Sequence, residues 1–198
     1  MYKTALIQYV IFLIYPPAPY SGTSTNDTVL LLSTNDVEGE IDDNFQEALD
    51  YVCTSLAKQI ARDGEGADKF MEVIASGAKT EDDAISLSKS IVSSSLVKTA
   101  LAGADPNWGR IISAMGYSGV EFDPENVSIS IGNRDKDVVI VDKGFVTTYD
   151  KPELLEEAEN IMKEKTVIIK VDVHDGNYNA TAYGCDLTCE YVHINADY

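Results

Sequence analysis

An α/β fold, with α+β as the alternative, follows from three features of the sequence. Helix-period and strand-period segments alternate along the chain, hairpin signals mix with longer crossovers, and no internal repeat or low-complexity linker interrupts the alternation. The mixed connections argue for a mixed sheet with packed helices and against a purely parallel one. The 198 residues and 44% hydrophobic content suit one sizeable domain or two small ones around a buried core.

Residues 1–22 stand apart. Ala5 to Ile14 is apolar except for Gln8 and Tyr9, and Tyr15-Pro16-Pro17-Ala18-Pro19 stops any helix or inner strand. The run is shorter than the ~20 residues of a membrane-spanning helix. A signal peptide is the sharper alternative, but a small-x-small cleavage site and a downstream disulfide pattern are both missing. The segment reads as a misplaced start or a replaced N-terminus, ahead of a buried strand and of export, and is expected to pack poorly against the rest.

From residue 23 the pattern is regular to residue 198, a stretch that could hold two subdomains, although the sequence marks no boundary between them. A polar turn, Thr23 to Thr28, precedes Val29-Leu30-Leu31-Leu32, a run suited to a buried strand. Phe45, Leu49, Val52, Leu56 and Ile60 form one helical stripe, started by Asp43 with Gln46 and closed by Gly64. Phe70 to Ala75 reads as a strand. Thr80 with Asp83 opens a second amphipathic helix carrying Ala84, Leu87 and Ile91, interrupted by the serines at 93 to 95.

Asp105 as cap and Pro106 at the first position predict a helix with Trp108, Ile111, Ile112 and Met115 on its apolar side and Gly116 at its end. Val127 to Ile131 and Val138 to Val141 are strand-like and joined through Gly132-Asn133. A helix follows from Pro152 to Lys163. Val167 to Val173 and Tyr178 to Tyr183 flank Asp175-Gly176-Asn177, which predicts a hairpin. Leu187, Tyr191 and Ile194 suggest a short terminal helix ending beside Asn195.

Lys and Arg number 15 against 33 Asp and Glu, a formal charge of -18 that disfavours nucleic acid and anionic membranes as partners. Charge does not identify a substrate. Cys53, Cys185 and Cys189 make an odd count that fits no disulfide framework, so a reducing, cytoplasmic compartment is expected. Cys185, Cys189 and His193 recur every four residues, but no fourth metal ligand is evident, and no metal or cofactor is expected. His174 and His193 have no serine or cysteine motif near them, so spacing yields no nucleophile and base.

Two turns could carry chemistry. Asp63-Gly64-Glu65-Gly66-Ala67 places a carboxylate between glycines at a helix end, open to a ligand and equally to solvent. Asp105-Pro106-Asn107-Trp108-Gly109-Arg110 could hold an anion at a helix N-terminus. The same residues serve better as a cap, because Asp105 already supplies an anion.

Four stretches, TSTNDTVLLL from Thr23, ARDGEGA over Ala61 to Ala67, LVKTALAGADPNWGRI over Leu96 to Ile111 and GCDLTCEYVHINADY over Gly184 to Tyr198, together resemble the ornithine acetyltransferase (glutamate N-acetyltransferase) family, in its order and spacing. The resemblance covers Thr23 to Tyr198 and corresponds to the β-chain portion. It implies a precursor that cuts itself before a threonine, giving α and β chains that assemble as α2β2. That threonine takes an acetyl group from N-acetylornithine and passes it to glutamate, and in bifunctional members acetyl-CoA also supplies the group.

By the same resemblance Glu65 and Asn195 match substrate-binding residues: a buried carboxylate pairs with an ammonium and an amide bonds a carboxylate. A helix-end cap is the plainer role for Asn195. The nucleophilic threonine has no counterpart in residues 1–22. Thr4, Thr23, Thr25 and Thr28 do not stand in its motif, so no catalytic residue is assigned. The α-chain contacts and a hydroxyl residue beyond Tyr198 lack counterparts too. The expectation is an enzyme portion inactive alone and dependent on the α chain; the alternative is an inactive relic acting as a binding or scaffold module.

Overall fold

The computed structural model of the chain describes Leu30, Leu32 and residues 42–196. The segment 1–22 and the polar turn at 23–28 lie outside the described residues. Leu30 and Leu32, expected in a buried strand, are in no strand and are 73% and 85% exposed. Both edges of the described sheet belong to other segments.

Helix α1 (Asp43–Arg62) leads by a loop into β1 (Phe70–Ala78), then α2 (Glu81–Ser93), α3 (Ser95–Ala102) and α4 (Trp108–Gly116). Strands β2 (Ser128–Gly132), β3 (Asp137–Asp142) and the short β4 (Phe145–Val146) follow, then α5 (Pro152–Met162), β5 (Thr166–Asp172), β6 (Tyr178–Cys185) and α6 (Cys189–Ala196). The strands form one six-stranded mixed sheet in the order β4-β3-β2-β5-β1-β6, with β1 and β5 parallel and every other neighbouring pair antiparallel.

The core lies on one face. Met71, Val73 and Ala75 of β1, Ile129 and Ile131 of β2, and Val167, Ile169 and Val171 of β5 alternate with outward residues, as strand periodicity requires. Leu87 and Ile91 of α2, Ile111 and Met115 of α4, and Ile161 and Met162 of α5 close over them. Leu87 and Ile91 are wholly buried, each worth roughly 1.5–3 kcal/mol. Thr80 caps α2 by accepting from Asp83 N at 3.1 Å, and Ser94 both ends α2 and caps α3, a helix the sequence reading did not separate.

The opposite face carries α1, and here the expected side was wrong. The helix buries the small residues Cys53, Ala57 and Ala61; of the expected stripe Leu49 is partly buried, while Phe45, Val52, Leu56 and Ile60 are 42%, 50%, 43% and 43% exposed. The reason is the chemistry of the strands beneath. Lys58 pairs with Glu72 at 3.9 Å and sits 4.9 Å over the Tyr183 ring, and Arg62 lies 4.5 Å over Phe70. Long cationic stems and small side chains therefore face the sheet, and the large apolar stripe turns away. The cap is Asp42, one residue earlier than read, accepting from Phe45 N at 2.9 Å.

The hairpin expected at Asp175-Gly176-Asn177 does not form, because β1 lies between β5 and β6. The connection instead crosses the end of β1. Val173 N donates to Ser76 O at 3.1 Å and Asp175 N to Gly77 O at 2.7 Å, and a Cβ on Gly176 would collide with Ala78 O. His174, not a glycine, takes the positive φ of 50°.

Candidate functional site

The Asp63–Ala67 turn and α6 are built against one another. At Gly64 an added Cβ would lie 2.6 Å from Cys185 Sγ. At Gly66, with φ +65°, it would lie 2.6 Å from Tyr191 N and 2.9 Å from Glu190 C. Glycine is required at 66 both for the left-handed backbone and for this approach. Thr188 Oγ1 donates to Gly66 O at 2.6 Å and accepts from Glu190 N at 3.2 Å, so one hydroxyl caps α6 and grips the turn. Asp186 Oδ1 accepts from Asp68 N at 2.9 Å and Lys69 N at 3.0 Å, fixing the turn's exit into β1.

This docking brings together the two residues singled out from the sequence. Asn195 Nδ2 donates to Glu65 Oε2 at 2.9 Å across 130 residues, and to Tyr191 O at 2.9 Å. Flipping the amide would set its oxygen against two acceptors, so the network fixes its orientation. Both hydrogens are spent, and what remains is acceptor only: Asn195 Oδ1 and the Glu65 carboxylate. In this arrangement the pair presents acceptors, and the expected bond from the Asn195 amide to a carboxylate would need its Nδ2 to leave Glu65 or Tyr191. Glu65 is also exposed rather than buried, as is Asn195. None of α6 is buried, so its anchors are the Gly66 backbone and Thr188 rather than an apolar face.

Beneath the turn lie Lys98, 7% exposed, and Asp186, 3% exposed. Lys98 Nζ donates to Cys185 Sγ at 3.7 Å, and Asp186 Oδ2 has no hydrogen-bond partner among the described residues. Lys69 Nζ donates to Leu101 O at 2.7 Å and Ala102 O at 3.2 Å at the end of α3. Burial lowers its pKa, opposed by Asp186 and Asp68.

Other sequence candidates resolve differently. The cap of α4 is Asn107, which accepts from Arg110 N at 3.1 Å; Asp105 instead accepts from Asn107 Nδ2 at 2.9 Å, which displaces the helix start by two residues. Arg110 donates to Leu96 O at 3.0 Å and Thr99 Oγ1 at 3.2 Å, holding α3. Cys185 ends β6 while Cys189 and His193 lie on α6, so the four-residue spacing does not describe one helical face.

One constellation escaped the sequence reading. Ser128 Oγ lies 2.9 Å from His174 Nε2, and His174 Nδ1 lies 3.3 Å from Asp172 Oδ1. Ser128 Oγ also accepts from Lys143 N at 3.1 Å and donates to Asp142 Oδ1 at 3.3 Å. A carboxylate at that place opposes the oxyanion that acyl transfer would create, so the group fastens the β2, β3 and β5 ends together. Ser128 and His174 are 46 residues apart, and no local motif marks them.

The family whose model matches residues 21–198 is the ArgJ family. Among curated relatives, the glutamate N-acetyltransferase of Methanothermobacter thermautotrophicus is 52% identical over 175 residues, 88% of this chain and 43% of the relative. That of Methanocaldococcus jannaschii is 51% identical over 180 residues, 89% and 44%. The arginine biosynthesis bifunctional protein ArgJ of Geobacillus stearothermophilus is 46% identical over 184 residues, 89% and 43%. A solved chain of the ArgJ of Bacillus halodurans superposes with TM-score 0.85 at 40% identity, covering 99% of this chain and 92% of that one. The chain thus spans less than half the length of the curated relatives it matches.

Proposed function

The chain belongs to the ArgJ family, and from that membership we propose that it supplies the amino-acid-binding part of an enzyme that moves an acetyl group from N-acetylornithine, or from acetyl-CoA, to glutamate. The observation that carries this reading is the Glu65–Asn195 hydrogen bond. Two exposed acceptors, one charged, are held by a glycine turn and a helix end, and they suit the ammonium common to these substrates. Asn195 orients the carboxylate, and Glu65 supplies the charge.

The threonine nucleophile, its oxyanion donors and the cover over Glu65 belong to the rest of the family polypeptide. Two observations support a two-chain enzyme: the curated relatives are more than twice as long as the matched part, while the solved chain has nearly this chain's span. The apolar stripe of α1 adds a surface suited to a partner. On this reading acetyl transfer needs the rest of the family polypeptide.

The test is complementation with the remaining portion of a family member, followed by acetyl transfer from N-acetylornithine to glutamate. Glu65→Gln and Asn195→Ala should each raise KM roughly ten-fold, the loss of about 1.5 kcal/mol expected for a hydrogen bond to a charged group. Restored activity with both variants unchanged would reject these residues as substrate ligands. No activity from any complemented assembly would leave the relic as the reading.

A further inference from the structure

We propose that Lys98 and Cys185 form an oxidation-capture site, in which peroxide converts the Cys185 thiol to a sulfenic acid and the Lys98 amine closes on it as a sulfenamide cross-link between α3 and the end of β6. The geometry that points to it is the environment of the lysine. Lys98 is 7% exposed, and among the described residues its ammonium has one hydrogen-bond partner, Cys185 Sγ at 3.7 Å. A buried ammonium is ordinarily matched by a carboxylate or several oxygens, and a thiol is a weak acceptor. The arrangement therefore does little for the charge, but it sets an amine nitrogen directly beside a sulfur.

The sulfur is also confined. A Cβ on Gly64 would lie 2.6 Å from Sγ, so the turn presses on one side while Lys98 faces it from α3, whose Lys98 O also accepts from Leu187 N at 3.2 Å. Cys185 is partly exposed, in contrast to the buried Cys53. The other two cysteines give an internal comparison. Burial, with help from Asp50, pushes the Cys53 thiol up, and Cys53 is enclosed; Cys189 is exposed with no side-chain partner among the described residues.

The chemistry balances with hydrogen peroxide as the oxidant. Sulfur attacks a peroxide oxygen, an S–O bond forms, the O–O bond breaks and one water leaves. Lys98 releases a proton to solvent, its nitrogen attacks the sulfenic sulfur, an S–N bond forms, and the hydroxyl leaves as a second water with another lysine proton. Sulfur loses two electrons and peroxide gains them. A thiol reductant reverses the link.

The experiment is peroxide treatment of the purified, unaltered chain, proteolysis without reductant, and mass spectrometry. The expected product joins the peptides containing residues 98 and 185, is lighter than their sum by two hydrogens, and separates with dithiothreitol. Cys189 should instead advance to sulfinic acid, and in Lys98→Met Cys185 should follow it there. Because the decisive reading is on the unaltered chain, a Lys98→Met variant that fails to fold does not weaken the test. Cys185 that oxidises alongside Cys189 with no 98–185 peptide, stays unmodified, or pairs with Cys189 overturns the proposal.

Discussion

Asn195 spends both amide hydrogens within the chain, so its structural and binding contributions can be separated. Both members of the Glu65–Asn195 pair are exposed, and an exposed hydrogen bond adds little to folding. Asn195→Ala in the isolated chain should change the unfolding free energy by less than about 1 kcal/mol, read by urea denaturation. Tyr183 makes the contrasting case. Burial, then Glu72, pushes its phenol up to about 12 from 10.0. Because the folded form holds its proton more tightly, the unfolded chain binds fewer protons between these values, and stability present below pH 10 falls as pH rises through about 12. Partial exposure discounts the effect to about 1 kcal/mol. Tyr183→Phe should remove both this loss and the last-titrating component of the phenolate absorbance. At this scale Glu65 and Asn195 were legible only through motif order, since spacing cannot join residues 130 apart. Ser128 and His174 were illegible because their meeting depends on strand order.

Helix starts with a Ser, Thr or Asp cap could be read to within a residue, as at Thr80 and Asp42, because the cap is a local hydrogen bond. The α4 start could not, since Asn107 and Asp105 are both competent caps and only the folded turn, with Ala104 at φ 55°, decides between them. Asp175-Gly176-Asn177 misled for a related reason. A turn sequence reports that the chain reverses, not whether another strand has entered the gap. The joint between the Glu65 turn and α6 allows a direct measurement. Gly66→Ala forces a side chain onto φ +65° and into Tyr191 N, whereas Gly119→Ala meets φ +78° with nothing within 4 Å. Gly119→Ala should cost about 1 kcal/mol from backbone strain alone. Gly66→Ala should cost roughly 1–3 kcal/mol more, with faster amide exchange confined to residues 189–196. Equal costs would mean that the close approach contributes nothing.

At the scale of the molecule, fold class and helix periodicity were legible, but the facing of α1 was not, because period reports a stripe and not what lies under it. The stripe Phe45, Val52, Leu56 and Ile60 faces away from the sheet, so the isolated chain gains little from it. On the proposed two-chain reading, the rest of the family polypeptide, more than half of the relative's length, is the expected cover. Val52→Ser with Leu56→Ser should therefore leave the chain's own Tm within a few degrees, as exposed substitutions usually cost under about 0.5 kcal/mol each. Burying the two side chains at an interface is worth roughly 1.5 kcal/mol apiece or more. The double variant should then bind the complementing portion at least about ten-fold more weakly, measured by titration of the two purified parts. Tyr117→Ser is the control, 85% exposed after α4 on the covered face, and should leave binding unchanged. If the α1 variant binds as well as the parent, the partner does not sit on this helix. If it loses Tm sharply, the stripe already supports the chain itself.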